Sequence, residues 1–387
     1  MFYAVIGSNF GDEGKGLAVD HLTLKGHDLV VRHNGGAQSA HTVEKADGKF
    51  VFHELSSGSF NGADTYWAST FFPDLYKLNE EIEGFSAVSD KRVKIYASPD
   101  ASVTLLYDAY LNQKIEESRG DEKHGSCGMG IWEATRRSGN GFAITLGDIA
   151  SLSAEKIASK LTKIEDEYVP LRIEKYSISE GLNLDTIRYA ELLKEALEKN
   201  VELTADEASL FASYDNVIFE TGQGLLLDVA RKDLWPHTTC SRTNLTNPVS
   251  ILSRHDIRLD EAVYVARTYL TRHGAGPFNE DKEMCFEDRT NQPNPWQDSI
   301  RFGRYPSAAS LTGRIVNDVK DNCPYDVKAS LFLTHLNMTG DKILTEEGDI
   351  ELKEFESQAV TSGIDKFYLS RSRYGSEVLI SDGNPVI

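Results

Sequence analysis

The sequence predicts an α/β fold: a large, mostly parallel central sheet with flanking helices, a P-loop-like phosphate turn and one helical insertion. Three observations support this. Residues 7–16, Gly-Ser-Asn-Phe-Gly-Asp-Glu-Gly-Lys-Gly, lie between the apolar run Tyr3-Ala4-Val5-Ile6 and the helix-like Leu17-Ala18-Val19, the order strand, turn, helix. Further apolar runs end in Gly- or Ser-rich loops, as parallel strands do when their C-terminal ends carry a site. Residues 152–213 break this rhythm with charged, amphipathic stretches of helical period.

The first turn exposes successive backbone N–H groups at a helix start, where free donors and the helix dipole favour phosphate. Lys15 adds a positive charge, and Asp12 and Glu13 add carboxylates for a metal ion or for proton transfer. The turn is not a standard P-loop: Gly7 stands too far from Gly14-Lys15, and Gly16 replaces Ser or Thr. Strands are then expected at Leu29–Arg32, Lys94–Ala97, Asn216–Glu220, Val263–Tyr269, Ala329–Leu333 and Lys366–Leu369, and helices at Ala154–Leu161 and Leu184–Leu197. The chain reads as a single domain over residues 1–387, with 152–213 inserted into it.

Composition narrows the function classes. The chain has 387 residues, 40% of them hydrophobic and 26% charged, and a net charge of −19. So acidic a chain repels a nucleic-acid backbone, so anionic small ligands must be held by local Lys, Arg and N–H groups. No apolar run approaches the roughly 18 residues of a membrane span, and the first strand begins too early for a targeting peptide. Cysteines at 127, 240, 285 and 323 form no Cys-x-x-Cys pair, which points away from disulfides and zinc and toward a cytoplasmic location, the host's cytoplasm if the chain is viral.

Four further segments carry chemistry. In Asn34–Thr42, His41 follows a glycine turn and suits a general acid or an electrophile. Gly125–Gly130 is a hydroxyl-bearing glycine loop suited to a monophosphate, followed by Arg136 and Arg137. In Glu220–Gly224 with Pro236–Thr239, Gln223 can bind a purine edge and Thr239 a phosphate. Arg301 and Arg304, in the run from Ser299, could clamp a dicarboxylate, whereas Arg272–Phe278 reads as a structural turn. Each has an ordinary structural explanation when taken alone.

Their order along the chain resembles the adenylosuccinate synthetase family. The family's Trp-Gly-Asp-Glu-Gly-Lys-Gly turn appears as Phe10–Gly16 and its Gly-Gly-His-Asn-Ala-Gly-His-Thr segment as Gly35–Thr42, with Gln38 for Asn. Its Thr-Thr-Gly-Arg-Gly-Ile loop becomes Ser126–Ile131. Its Glu-Gly-Ala-Gln-Gly segment becomes Glu220–Gly224, and its Thr-Arg-Val-Gly-Ala-Gly-Pro-Phe becomes Thr271–Phe278.

The resemblance implies a ligase that joins L-aspartate to C6 of a purine nucleoside monophosphate at the expense of a purine nucleoside triphosphate. It implies Asp12, His41 and Lys15 as catalytic residues, and Mg²⁺ near Asp12 and the Ala40 carbonyl. Triphosphate contacts would come from Gly11, Glu13, Gly14, Lys15, Gly16, His41, Thr42, Thr334, His335, Asn337 and Ser372. Monophosphate contacts would come from Asp12, Gln38, Ser126, Cys127, Arg136, Gln223, Thr238 and Thr239, with Arg136 reaching into the second subunit of a homodimer. Ser299, Arg301 and Arg304 would hold aspartate.

Two departures matter. Where the family reads guanine with Thr-Lys-Leu-Asp, this chain has Thr334-His335-Leu336-Asn337, and its Ser-Thr-Gly-Pro loop reads Ser370-Arg371-Ser372-Arg373. An Asn oxygen receives the guanine N–H groups more weakly than a carboxylate, so ATP or dATP is expected to rival or replace GTP. The chain is similar here to a viral branch that condenses aspartate with dGMP. Asp12, replaced by Ser in at least one form of that branch, favours IMP as acceptor. A non-catalytic nucleotide-binding paralogue and a nucleoside monophosphate kinase are the alternatives from other classes.

Overall fold

The computed structural model describes residues 1–179, 181–288 and 299–382, organised around one ten-stranded sheet. In chain order its strands are β1 (Phe2–Gly7), β2 (Asp28–Arg32), β3 (Asp64–Trp67), β4 (Ile95–Ala97), β5 (Val201–Leu203), β6 (Asn216–Glu220), β7 (Glu261–Arg267), β8 (Lys328–Thr334), β9 (Lys366–Leu369) and β10 (Leu379–Ser381). Across the sheet they run β10-β9-β8-β7-β1-β6-β2-β3-β4-β5. Every neighbouring pair is parallel except β9 and β10. All seven strands expected from the sequence are present.

Parallel sheets are covered on both faces, so their strands are apolar throughout. Alternate side chains divide between the faces. Val5, Val30, Ile218, Val263 and Phe332 pack with Ala18 and Val19 of the helix Lys15–Leu22. Ala4, Ile6, Val31, Phe219, Tyr264 and Leu331 pack on the other face with Leu252, Ile315 and Phe355, from helices Thr246–Ser253, Ala308–Asn322 and Leu352–Thr361. Burial on both faces fixes the register of β1, and with it the place of the turn that follows.

A second core builds outward from β3 and β4, joining Trp67 and Ile95 to Leu78, Leu111, Ile157, Leu161 and Leu193. The stretch expected to be a helical insertion contributes helices Ala154–Lys163, Val169–Tyr176, Thr186–Asn200 and Glu207–Ala212. It is not wholly helical, because Val201–Leu203 is strand β5, paired with β4 on the sheet edge. Three residues carry no period of their own; their conformation comes from Ile95–Ala97 alongside.

His41 opens a strand the sequence reading did not anticipate. His41–Lys45 pairs antiparallel with Gly48–Phe52, and Phe50 and Phe52 lock this ribbon against Phe85, with ring centroids 5.6 and 5.5 Å apart. Among the described residues no helix is long and apolar enough to cross a membrane.

Candidate active site

Because the strands run parallel, the turns that follow β1, β2, β6, β7, β8 and β9 meet along one edge of the sheet. They surround a cavity of about 870 Å³. The first turn carries Gly11, Asp12 and Gly14 with φ of 97°, 47° and 98°. Left-handed backbone suits Gly, and Asp tolerates it better than bulkier residues do. A Cβ on Gly16 would stand 2.9 Å from the Thr42 carbonyl and 3.3 Å from the His41 Cβ. Close packing of the first turn on the His41 strand thus explains glycine where a P-loop has Ser or Thr.

Glu13 braces the turn instead of facing the cavity, which corrects its expected triphosphate contact. Its Oε1 accepts the N–H groups of Asn9 (3.0 Å) and Gly11 (2.9 Å), and its Oε2 lies 3.1 Å from Lys15 Nζ, both residues being buried. Burial pushes the Glu13 carboxyl up, and Lys15 opposes that shift. Arg267 at the end of β7 donates Nε to the Asp12 carbonyl at 2.6 Å. Thr334 Oγ1 donates to the Glu13 carbonyl at 2.7 Å. These supports arrive from 255 and 321 residues away, so no local spacing could reveal them.

Asp12 and His41 line the same cavity, together with Lys15, Gly11, Gly14, Gly16, Ala40 and Thr42. His41 Nδ1 lies 2.6 Å from Glu220 Oε1. Glu220 also accepts Arg32 Nη1 at 3.3 Å, the Ser57 N–H at 3.2 Å and the Ser57 hydroxyl. Burial raises the Glu220 carboxyl, but His41, Arg32 and Ser57 outweigh it and bring it down to about 2. Burial lowers the His41 imidazole against the opposing pull of Glu220. With Glu220 ionised, the Nδ1 proton of His41 donates to it and Nε2 is left for a ligand. Glu220 was visible in its motif, but its role as the orienter of His41, 179 residues away, was not.

A polar wall adjoins this pair. Gln38 Nε2 donates to Thr239 Oγ1 (3.2 Å) and Gln223 Oε1 (3.4 Å), and Gln223 Nε2 donates to Ser39 Oγ (3.3 Å). Ser126, Cys127, Thr238 and half-exposed Arg136 continue it. The Ser126 loop is seated by its Oγ donating to Asn112 Oδ1 at 2.7 Å. Burial pushes the Cys127 thiol up, so it serves as a neutral lining group. Arg137, by contrast, is buried and forks onto Asp108 at 2.9 Å, which makes it a structural residue. Asn34 exchanges both ends of its amide with Gly222 and does not line the cavity.

On the opposite side lie Thr334, His335, Asn337 and Ser372. Burial and the nearby Arg267 guanidinium push His335 down to about 3, so it is neutral at physiological pH. Arg373 pairs with Glu44 at 3.2 Å and Arg371 with Asp341 at 2.8 Å.

The residues expected to hold aspartate do not reach the cavity. Arg304 is taken by Asp281 (3.1 Å) and Asp349 (2.6 Å), and Ser299 is exposed away from the cavity. Arg301 Nη2 donates to the Gly274 and Gly276 carbonyls at 2.6 and 3.1 Å, bracing the turn behind Arg272. Arg272, read from sequence as structural, does line the cavity. It lies 4.5 Å over the Phe10 ring, its Nε has no hydrogen-bond partner, and burial with Arg301 nearby brings it down to about 10.

No group of three metal-binding side chains occurs among the described residues. Mg²⁺ is commonly held by one or two carboxylates while substrate phosphates and water complete its shell. Asp12 and Ala40 line the cavity with Lys15, one offering a carboxylate and the other a backbone carbonyl, the oxygen chemistry that such an ion takes.

A family profile described as adenylosuccinate synthetase matches residues 4–293. The adenylosuccinate synthetase of Saccharophagus degradans is 31% identical over 290 residues, covering 72% of this chain and 64% of the relative. That of Marinomonas sp. is 31% identical over 335 residues, covering 82% and 75%. The matched region thus spans just under two thirds of the length of the first of these relatives. A fully ligated adenylosuccinate synthetase from Plasmodium falciparum superposes with a TM-score of 0.72 at 19% identity, covering 98% of this chain and 99% of the other. The cyanophage S-2L succinoaminodeoxyadenylate synthetase, bound to dGMP with dATP as energy donor, superposes at 0.60 and 16% identity, covering 98% and 94%. With the profile matching most of its length, the chain belongs to the adenylosuccinate synthetase family.

Proposed function

We propose that this protein is a C–N-forming ligase that condenses L-aspartate with the C6-oxo group of a purine nucleoside monophosphate through a 6-phosphoryl intermediate. The observation that carries the reading is the convergence of Asp12, His41 and Lys15 on one cavity. Asp12 removes the N1 proton of the purine, and O6 attacks the γ-phosphorus of the triphosphate, breaking its bond to the β,γ-bridging oxygen and releasing the nucleoside diphosphate. His41, aligned by Glu220, supports O6 and the γ-phosphate, and Lys15 holds the phosphate oxygens. The aspartate amine then attacks C6, the C6–O bond breaks, phosphate leaves and the amine loses its proton. Asp12 and the Ala40 carbonyl would hold Mg²⁺, which when bound would neutralise phosphate charge.

Gln38, Gln223, Ser126, Cys127, Thr238 and Thr239 form the acceptor pocket, and Thr42, Thr334, His335, Asn337 and Ser372 the donor side. Arg272, which lines the cavity where Arg304 does not, is the cation proposed for the aspartate carboxylates. Exposed Arg136 at the cavity rim suits contact with a second subunit, so a homodimer is the working assembly. We take IMP as acceptor because Asp12 is retained. The second reading, dGMP, is favoured by the altered Ser126–Cys127 loop and by Asn337.

ATP or dATP is the proposed donor. Asn337→Asp is expected to raise kcat/KM with GTP about tenfold, since a charge-assisted bond exceeds a neutral one by about 1 kcal/mol or more. Initial rates with each triphosphate check this; wild-type enzyme working fully with GTP alone would overturn it.

The deciding experiment incubates IMP, dIMP, GMP and dGMP with ATP, dATP and GTP, L-aspartate and Mg²⁺, and follows succinylated product by mass. Triphosphate binding without aspartate-dependent phosphate release would make the protein a regulator. A nucleoside diphosphate made from the acceptor without aspartate would make it a kinase.

A further inference from the structure

The cavity does not end at the Ser126–Cys127 loop. It continues between three helices, Leu106–Ser118, Ile131–Arg137 and Val169–Tyr176. Along the first, Asn112, Glu116 and Arg119 face the cavity at the i, i+4, i+7 spacing of one helical stripe. Asn112 seats Ser126, and the rise of about 1.5 Å per residue places Arg119 about 10 Å further along. That is the length scale of a short polyphosphate within reach of a long side chain.

This arm is cationic in an otherwise acidic chain. Among the described residues that line it, Arg119, Arg172 and Lys175 stand against Glu116 and Glu133, with Arg136 at the rim. Arg172 occupies both Glu133 oxygens, at 2.8 and 2.6 Å, leaving Arg136 a 3.9 Å contact with the same carboxylate. Glu116 is taken by Arg119 and by the His124 N–H. Exposed Lys175 lies 5.5 Å from the centroid of the Tyr176 ring, which Arg172 and Arg119 also approach, at 5.0 and 5.9 Å. Burial alone would raise the Tyr176 hydroxyl, but Arg172, Lys175 and Arg119 prevail and lower it. The surplus of cations over carboxylates in this cleft concentrates anions there.

We propose that this arm is a polyphosphate subsite. It takes the β- and γ-phosphates of a purine nucleoside triphosphate whose base and α-phosphate occupy the acceptor pocket, so that such a triphosphate competes with the monophosphate acceptor. The inference rests on the acceptor reading above, and its test separates the two.

With the donor side saturated by adenylyl imidodiphosphate, dissociation constants are measured by calorimetry for IMP and ITP, and for dGMP and dGTP. Wild-type protein and the double variant Arg119→Gln/Lys175→Gln are compared. Neither residue belongs to the catalytic set; Arg119 pairs with buried Glu116, so the double variant is expected to melt somewhat lower, and the single variant Lys175→Gln, at an exposed position, is measured beside it as the fold-neutral control. The triphosphate is expected to bind at least tenfold tighter than its monophosphate, and the double variant to lose about tenfold for the triphosphate only. Inorganic tripolyphosphate should compete with ITP on wild type and fail to do so on the variant. Equal affinities for mono- and triphosphate, or equal losses for both in the variant, would overturn the arm alone. Failure of every monophosphate to bind would overturn the acceptor reading, and the arm with it.

Discussion

Asp12→Asn is expected to lower kcat by about 10²–10⁴-fold while leaving monophosphate affinity nearly unchanged. Asparagine matches the size of aspartate and tolerates the left-handed backbone at φ 47°, so the turn should keep its shape. The Arg267 bond at 2.6 Å goes to the backbone carbonyl, which the substitution retains. In the proposed mechanism the substitution removes the base for the purine N1 proton, without which O6 is a poor nucleophile toward the γ-phosphate, together with the carboxylate offered to Mg²⁺. Rapid-quench measurement of the succinylated product, alongside calorimetric titration with IMP, separates the chemical step from binding. Full turnover in this variant would remove Asp12 from the mechanism.

Glu220→Gln is expected to reduce both activity and stability. The Glu220 carboxylate is buried and gathers His41, Arg32 and Ser57. An amide cannot offset the Arg32 guanidinium, which is itself buried and has an Nη2 without a hydrogen-bond partner. Breaking a buried ion pair from one side costs about 3–5 kcal/mol, read here as a lower urea midpoint at unchanged m-value. The pH dependence gives a second readout. The Glu220 carboxyl falls from its ordinary 4.5 to about 2 on folding, so the folded state binds fewer protons at this group than the unfolded chain. Its stabilising contribution is complete above about 4.5 and fades as pH falls toward 2. Wild-type stability should therefore decline across that window, and the glutamine variant should show a shallower slope. Equal slopes would mean that Glu220 is not the ionised partner of His41.

Much of the architecture was legible because parallel strands buried on both faces announce themselves as apolar runs. Tyr3–Ile6, Asn216–Glu220 and Lys366–Leu369 lie within or match strands of the sheet, and each leads into a loop at the cavity edge. The glycine turns were equally visible, because backbone that binds phosphate excludes most other residues. Features created by distant partners were hidden. Val201–Leu203 is a strand only because β4 lies beside it, and Glu13 looked like a ligand because the N–H groups it accepts were not in view. Arg304 and Arg272 exchanged expectations for the same reason. The paired Asp281 and Asp349 draw Arg304 away, while the Phe10 ring and the carbonyls of Pro277 and His237 hold Arg272 at the cavity wall.

The order of strands also separates the two halves of the proposed chemistry. Asp12, His41 and Glu220 follow or end β1, β2 and β6 at the middle of the sheet, whereas Asn337 and Ser372 follow β8 and β9 on one flank, beyond β7. Past Thr334, whose hydroxyl braces the first turn, the loops on that flank make room for exchange without disturbing the central trio, so under the proposed reading the energy source can drift during evolution while the bond-making step is preserved. Grafting the His335–Asn337 and Ser370–Arg373 loops between relatives, with Thr334 kept, is accordingly the natural engineering route to a chosen energy source.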